Sequence, residues 1–93
     1  MKKISIKYGN WILLINIIKN ELEFKNENLE DKSHVYDMDE NPMNIDVDDE
    51  YVMIRFSNTY WAVKFENNND LIIDEYDNDD EFIRTIGCYS IDN

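Results

Sequence analysis

The sequence predicts an α+β fold. It reads as one small domain, residues 1–93, in which a three-stranded antiparallel β-meander over about 51–76 and a short N-terminal strand are packed by a helix over 10–24 and a short C-terminal helix over 78–86. Three observations predict it. Strand patterns mark 3–8, where apolar and polar residues alternate, and 51–76, where one hairpin register puts the large apolar residues on the same side; apolar residues recur at helical spacing over 11–24; and an Asp/Asn cluster precedes an apolar run that Gly87 ends.

Each element has a local reason. Ile4 and Ile6 fall on one side of residues 3–8, with Ser5 and Lys7 on the other, the pattern of a half-buried strand. Gly9-Asn10 breaks it, and Asn10 is placed to cap a helix. Trp11, Leu14, Ile15, Ile18 and Leu22 then follow helical spacing as one stripe. Leu13, Ile17 and Phe24 form a second stripe at roughly 140–180°, from ~100° per residue. Such a helix needs covering on two sides. Residues 25–50 show no clear period, and Pro42 with dense Asn, Asp and Glu predicts an extended or looping acidic segment. Its apolar residues, from Leu29 to Val47, tie it to the body.

Residues 51–76 are the most regular. A hairpin turn at Asn58-Thr59 would pair Phe56 with Trp61, Ile54 with Val63 and Val52 with Phe65 on the core face. Glu66 to Asp70 forms the next turn, after which Leu71 and Ile73 point inward and Ile72, Asp74 and Tyr76 outward. Over 78–86, Asp77 or Asn78 caps a short helix, Asp79, Asp80 and Glu81 fill its first turn, and Phe82, Ile83 and Ile86 face inward. Cys88 to Ile91 suit a last short strand.

Composition narrows the function classes. The apolar fraction of 43%, with two Trp, six Tyr and four Phe, is too high for a disordered acidic tail. One Cys permits no internal disulfide, which suits a reducing cytoplasm. The start carries no signal-peptide pattern, and the apolar run Trp11 to Ile18 is far short of the ~20 residues that span a bilayer. No membrane partner is expected. The single His, His34, and the lone Cys88 show no nucleophile signature, and Gly9 and Gly87 form no phosphate loop. A non-enzymatic role without a cofactor is expected. Asp37-x-Asp39-x-Asn41 with Asp48 at the twelfth position imitates a calcium loop, but Pro42 replaces the glycine and Asp48 the bidentate Glu, so no metal site is expected.

The formal charge is −12, and it is unevenly placed. Residues 27–50 carry −9 and residues 66–81 carry −8, while residues 1–26 carry +3. Scattered bases exclude direct nucleic-acid binding, which Lys and Arg drive. A field of one sign speaks of partners. Asp79, Asp80 and Glu81 are explained in part by a helix N-terminus. Asp46, Asp48 and Glu50 are not. On an extended chain they would lie on one side ~6.6 Å apart, on the order of the phosphate spacing along a strand. Asp37 and Asp39 repeat that spacing. The candidate partner-binding residues are therefore Asp37, Asp39, Glu40, Asp46, Asp48, Asp49 and Glu50 in the first block, and Asp74, Glu75, Asp77, Asp79, Asp80 and Glu81 in the second. Outer-face Tyr51, Met53, Tyr60 and Tyr76 would add aromatic and apolar anchors.

In size, charge, the Ile/Asn-rich and Ala-poor usage of an AT-rich genome, and a meander followed by an acidic helix, the whole chain resembles phage-encoded anti-CRISPR and anti-restriction inhibitors, several of which mimic DNA. The resemblance is carried by no motif and transfers no individual residue. It implies an acidic inhibitor of the basic nucleic-acid-binding surface of a bacterial defence nuclease, a Cas9-type CRISPR effector first. The rival expectations are an immunity protein neutralising a basic nuclease toxin, and an acidic homodimer joined through the second helix stripe.

Overall fold

The computed structural model describes residues 3–27, 33–66 and 70–90. It is all-β, with nine strands in two antiparallel sheets and no helix among the described residues. This overturns the α+β expectation. The chain divides into two compact units, Met1–Asn41 and Pro42–Asn93.

The first unit holds β1 (Lys3–Tyr8), β2 (Trp11–Asn16), β3 (Glu21–Asn26) and β4 (Ser33–Asp37), paired in chain order. The run read as a helix over 10–24 is β2, a turn and most of β3. The two opposed helical stripes were the mark of a period of two. Trp11, Leu13 and Ile15 on β2 and Leu22 and Phe24 on β3 all lie on one buried face. β-branched Ile is frequent here and Ala is absent from the stretch, which favours a pleated surface over a helix. Gly9-Asn10 is the two-residue turn joining Tyr8 to its partner Trp11, and Gly9 takes a positive φ of 59°. Gly with positive φ at the first central position is the hairpin signature that twists with its strands. Asn10 therefore closes a hairpin and caps no helix. The next loop, residues 17–20, ends on Asn20 at φ 55°, and Asn16 Oδ1 accepts the Lys19 N–H at 3.1 Å.

Phe24 centres the buried face of this sheet. Its ring lies 5.8 Å from Tyr36, stacked at 19°, 5.4 Å from His34 and 6.1 Å from Trp11, edge-on at 68°. Both Tyr36 and His34 are on β4, across from Leu22 and Phe24.

The second unit holds β5 (Asn44–Val47), β6 (Tyr51–Arg55), β7 (Thr59–Phe65), β8 (Asp70–Asp77) and β9 (Phe82–Ser90), again paired in chain order. The segment expected to be irregular over 25–50 thus contains β4 and β5. The strands expected over 51–76 are present, with the register moved by two residues. Ser57-Asn58 form the turn, Phe56 N–H donates to Thr59 O at 2.8 Å, and Ile54 faces Trp61 and Val52 faces Val63. A shift of two preserves every face, because side chains alternate with a period of two. Val52, Ile54, Val63, Leu71 and Ile73 are fully buried on that common face.

The predicted helix over 78–86 is a turn followed by β9. Asp77 Oδ1 accepts the N–H of Asp79 at 2.9 Å and of Glu81 at 3.0 Å, and Asp80 sits at φ 64°. A left-handed Asp80 cannot continue a right-handed helix. The carboxylate expected to cap a helix instead folds the chain back, as Asp does in turns. Phe82 and Ile83, expected inward, are 58% and 46% exposed, and Gly87 lies within β9 opposite Ile73. The register of β9 skips Ile83 and Ile86, so each is the extra residue of a bulge. Asn67 to Asn69 of the second predicted turn, Leu29 and Ile91 lie outside the described residues.

Candidate protein-interaction surface

The acidic charge is concentrated in the second unit. Residues 42–93 hold 13 acids against three bases, a net −10, whereas residues 1–41 hold eight acids against six bases, a net −2. Among the described residues, four ion pairs form: Lys7–Glu27, Arg55–Asp46, Lys64–Asp74 and Arg84–Glu75. Asp48, Asp49, Glu50, Asp79 and Glu81 are exposed and belong to none of them.

The predicted acidic residues separate into two kinds. Some are used inside the fold. Glu75 lies on the same face as its cross-strand partner Trp61, taking the Trp61 Nε1–H at 2.9 Å and Arg84 Nε–H at 2.9 Å. Asp74 accepts Thr85 Oγ1–H at 2.8 Å and Lys64 Nζ–H at 3.3 Å. Asp77 caps the β8–β9 turn, and Asp80 accepts the Tyr60 hydroxyl at 2.8 Å. Asp37, at the end of β4, accepts the Asp39 N–H at 2.9 Å; Asp39 is left-handed at φ 66°, and the Glu40 N–H donates to Met38 O at 2.8 Å.

The others form tips. β5 ends at Val47, so Asp46, Asp48 and Glu50 do not make a straight row on one strand. Asp46 lies on the outer face opposite Met53, while Asp48, Asp49 and Glu50 make the β5–β6 turn. Asp48 N–H donates to Tyr51 O at 2.9 Å, and Asp48 Oδ1 accepts Asp49 N–H at 2.7 Å. The antiparallel order puts this turn at the end of the sheet where Phe65 meets Leu71, and the 77–81 turn at the end where Tyr76 meets Phe82. Seven-residue β7 separates them by ~20 Å at ~3.3 Å per residue.

Between these ends lies an aromatic outer face. Strand register lines up Arg55, Tyr60, Tyr76 and Phe82 across β6 to β9. The Arg55 guanidinium is 5.0 Å from the Tyr60 ring centre, Tyr60 stacks on Tyr76 at 5.2 Å, and Phe82 meets Tyr76 edge-on at 5.9 Å. Lys64 Nζ donates to Tyr76 Oη at 2.8 Å and lies 5.2 Å from that ring's centre. Tyr51, Met53, Tyr60, Ala62, Lys64 and Tyr76 together line an open groove. The four residues singled out as anchors therefore share one surface. Arg55, Lys64 and Phe82 were missed. Their signal was the register, which depends on placing the turn at Ser57-Asn58 and on reading residues 82–90 as a strand.

Three groups of the groove, Tyr60, Tyr51 and Lys64, are shifted upward. Burial, then the hydrogen bond to Asp80, pushes Tyr60 up to about 12. The hydrogen bond to Asp48 and its charge raise Tyr51 above the ordinary phenol range. Lys64 is raised above the usual lysine value by Tyr76 first and by Asp74, against the opposing effect of burial. Both phenols are neutral and the ammonium charged at neutral pH.

No helix among the described residues is long and apolar enough to cross a membrane. Comparisons with protein-family models, curated proteins and solved structures find no match to this chain.

Proposed function

We propose that this chain is a non-enzymatic acidic binding protein that inhibits a bacterial defence nuclease, first among them a Cas9-type CRISPR effector, by occupying its basic nucleic-acid-binding surface. The observation that carries the reading is the placement of a net −10 on one 52-residue unit whose exposed tip carboxylates make no ion pair among the described residues. Unmatched charge of one sign steers a partner of the other sign and raises the rate of encounter. It is also unfavourable to the unit that carries it, since like charges repel. The mimicry does not need a straight row of carboxylates. It needs acidic groups spaced over a nucleic-acid-sized surface, and tips ~20 Å apart satisfy that.

The test is binding to purified Cas9-type effectors, without guide and with guide, at 50 and 300 mM salt. Affinity should fall at least ~10-fold between the two, because the Debye length shortens from about 14 to about 6 Å. Joint reversal of Asp48, Asp49 and Glu50 to Lys should abolish binding and restore target cleavage. Salt-insensitive affinity, or inhibition that survives the reversal, would overturn the electrostatic mechanism.

A further inference from the structure

Three tyrosines line the groove on the outer face of the five-stranded sheet, and their rings differ in one respect. Tyr60 carries Arg55 at 5.0 Å from its ring centre, and Tyr76 carries Lys64 at 5.2 Å. Among the described residues no cation lies over Tyr51. Its cross-strand neighbour is Lys64, but that ammonium is drawn toward β8 by Tyr76 Oη at 2.8 Å and Asp74 Oδ2 at 3.3 Å. Tyr51 instead has anions beside it. Asp48 faces it across the β5–β6 turn, donating its N–H to Tyr51 O at 2.9 Å, and Asp46 is the next residue of β5 on the same face. The Asn44 amide holds both Asp46 carboxylate oxygens, at 3.2 and 3.3 Å, and among the described residues the base paired with Asp46 is Arg55, its Nε at 3.9 Å, between two exposed side chains. Half-buried Met53 sits between them on the same face, opposite Asp46 and one residue pair from Tyr51.

We infer that Tyr51, Asp46 and Asp48 form a receptor for one arginine side chain of the basic partner, whose guanidinium stacks on the Tyr51 ring and pairs with the two carboxylates. Charge complementarity selects the occupant. At the Tyr51 end of the groove, Asp46 and Asp48 face one described base, Arg55, so the site keeps a surplus of one negative charge. Arginine suits it better than lysine, because a planar guanidinium can lie flat on a ring while its edge N–H groups reach carboxylates. Tyr and Arg are also among the residues in which interfaces concentrate their binding energy. The inference rests on the reading of the chain as a binder of basic proteins, and it names the side chain and place that would anchor such a partner.

The probe is a blocked Gly-Gly-Arg-Gly-Gly peptide, titrated at 20 mM salt and followed by amide and side-chain NMR shifts. The largest shifts should fall on Asp46, Asp48, Tyr51 and Met53. The citrulline peptide, which keeps the shape and loses the charge, should bind at least ~5-fold more weakly, and the lysine peptide about 2- to 5-fold more weakly. Tyr51→Leu should weaken the arginine peptide about 2- to 5-fold. Asp46→Asn, at an exposed position, gives the same test without touching a half-buried side chain, and should weaken it about 2-fold or more. Shifts centred on the 77–81 turn, equal binding of citrulline, or no response to both variants would overturn the inference. The two proposals fail differently. If Tyr51→Leu leaves nuclease affinity unchanged while reversal of Asp48, Asp49 and Glu50 abolishes it, the arginine receptor falls and the acidic inhibitor stands. If the peptide docks at Tyr51 and no basic nuclease is bound, the functional reading falls and the receptor stands.

Discussion

The two sheets are built alike and finished differently. In both, alternate residues of inner strands are buried, as on β2, β3 and β6, and facing residues across strands make the core: Leu13 with Phe24 in one, Val52 with Val63 in the other. Their outer residues diverge. The four-stranded sheet mixes Lys3, Lys7 and Lys25 with Glu21 and Glu23 and stays near neutrality. The five-stranded sheet carries an aromatic row and two acidic turns, and its unit reaches −10. The lesson is a division of labour. Alternation alone specifies a strand, so the outer positions and the turns are free to carry chemistry that the fold does not need.

The largest expected effect tests whether the buried faces are equivalent. Phe24→Ala and Ile54→Ala remove fully buried side chains from the two sheets. Each should cost ~3–4 kcal/mol, from lost burial and the cavity left behind. Urea denaturation followed by Trp fluorescence measures both. A cost below ~1 kcal/mol for either would show that its face is not a core, and the comparison would break at its foundation.

A smaller effect separates the outer faces. In the folded chain the Tyr60 hydroxyl is pushed up to about 12, against 10.0 for an ordinary tyrosine. The sign follows directly. The folded form binds the proton more tightly, so the stabilisation is complete below pH 10 and is lost as pH rises toward 12. It is worth ~1–2 kcal/mol, because the shift is only partly realised for a hydroxyl bonded to an exposed Asp80. Lys64, also raised, loses its charge in the same direction. Stability measured from pH 9 to 12 should therefore fall, and Tyr60→Phe should flatten part of that fall. An unchanged profile in the variant would remove Tyr60 as its source.

What was legible in the sequence follows from these same physics. The inward faces of β6, β7 and β8 could be read because a hairpin pairing puts Val52, Ile54, Trp61, Val63, Leu71 and Ile73 on one side together, and a two-residue error in register cost nothing on the face assignment. The stretch Trp11 to Phe24 could not be read the same way. Ile12 and Leu14 are apolar but lie on the outer face, which fills in the alternation and lets helical spacing fit equally well. Asp77 to Glu81 misled for a different reason. An Asp side chain bonding to backbone N–H groups two and four residues on is compatible with a helix start or with a turn, and only the left-handed Asp80 decides. The paired acids Asp74 and Glu75 were counted with the interaction residues because their partners, Thr85, Lys64, Trp61 and Arg84, are brought to them by strand pairing alone.

The next effect sharpens that distinction between acids. Asp77→Ala removes both side-chain bonds that close the β8–β9 turn and should cost ~1 kcal/mol. Asn at the same position keeps an acceptor and should restore most of it. If Ala and Asn are equally harmless, the turn is held by its backbone alone, and Asp77 moves to the other group.

The smallest effect on stability should be Asp79→Asn together with Glu81→Gln. Neither side chain makes a hydrogen bond or ion pair within the described residues, and both are exposed. Removing them deletes two like charges from a unit at −10, so stability should change by less than ~0.5 kcal/mol, and in the favourable direction. Affinity for a basic partner at 50 mM salt should move the opposite way, and its salt dependence should become shallower. A residue that lowers binding while slightly raising stability when removed is retained for the partner. A loss of stability on neutralising Asp79 and Glu81 would mean that the fold needs these charges, and the separation between structural and interacting carboxylates would not hold at this end of the sheet.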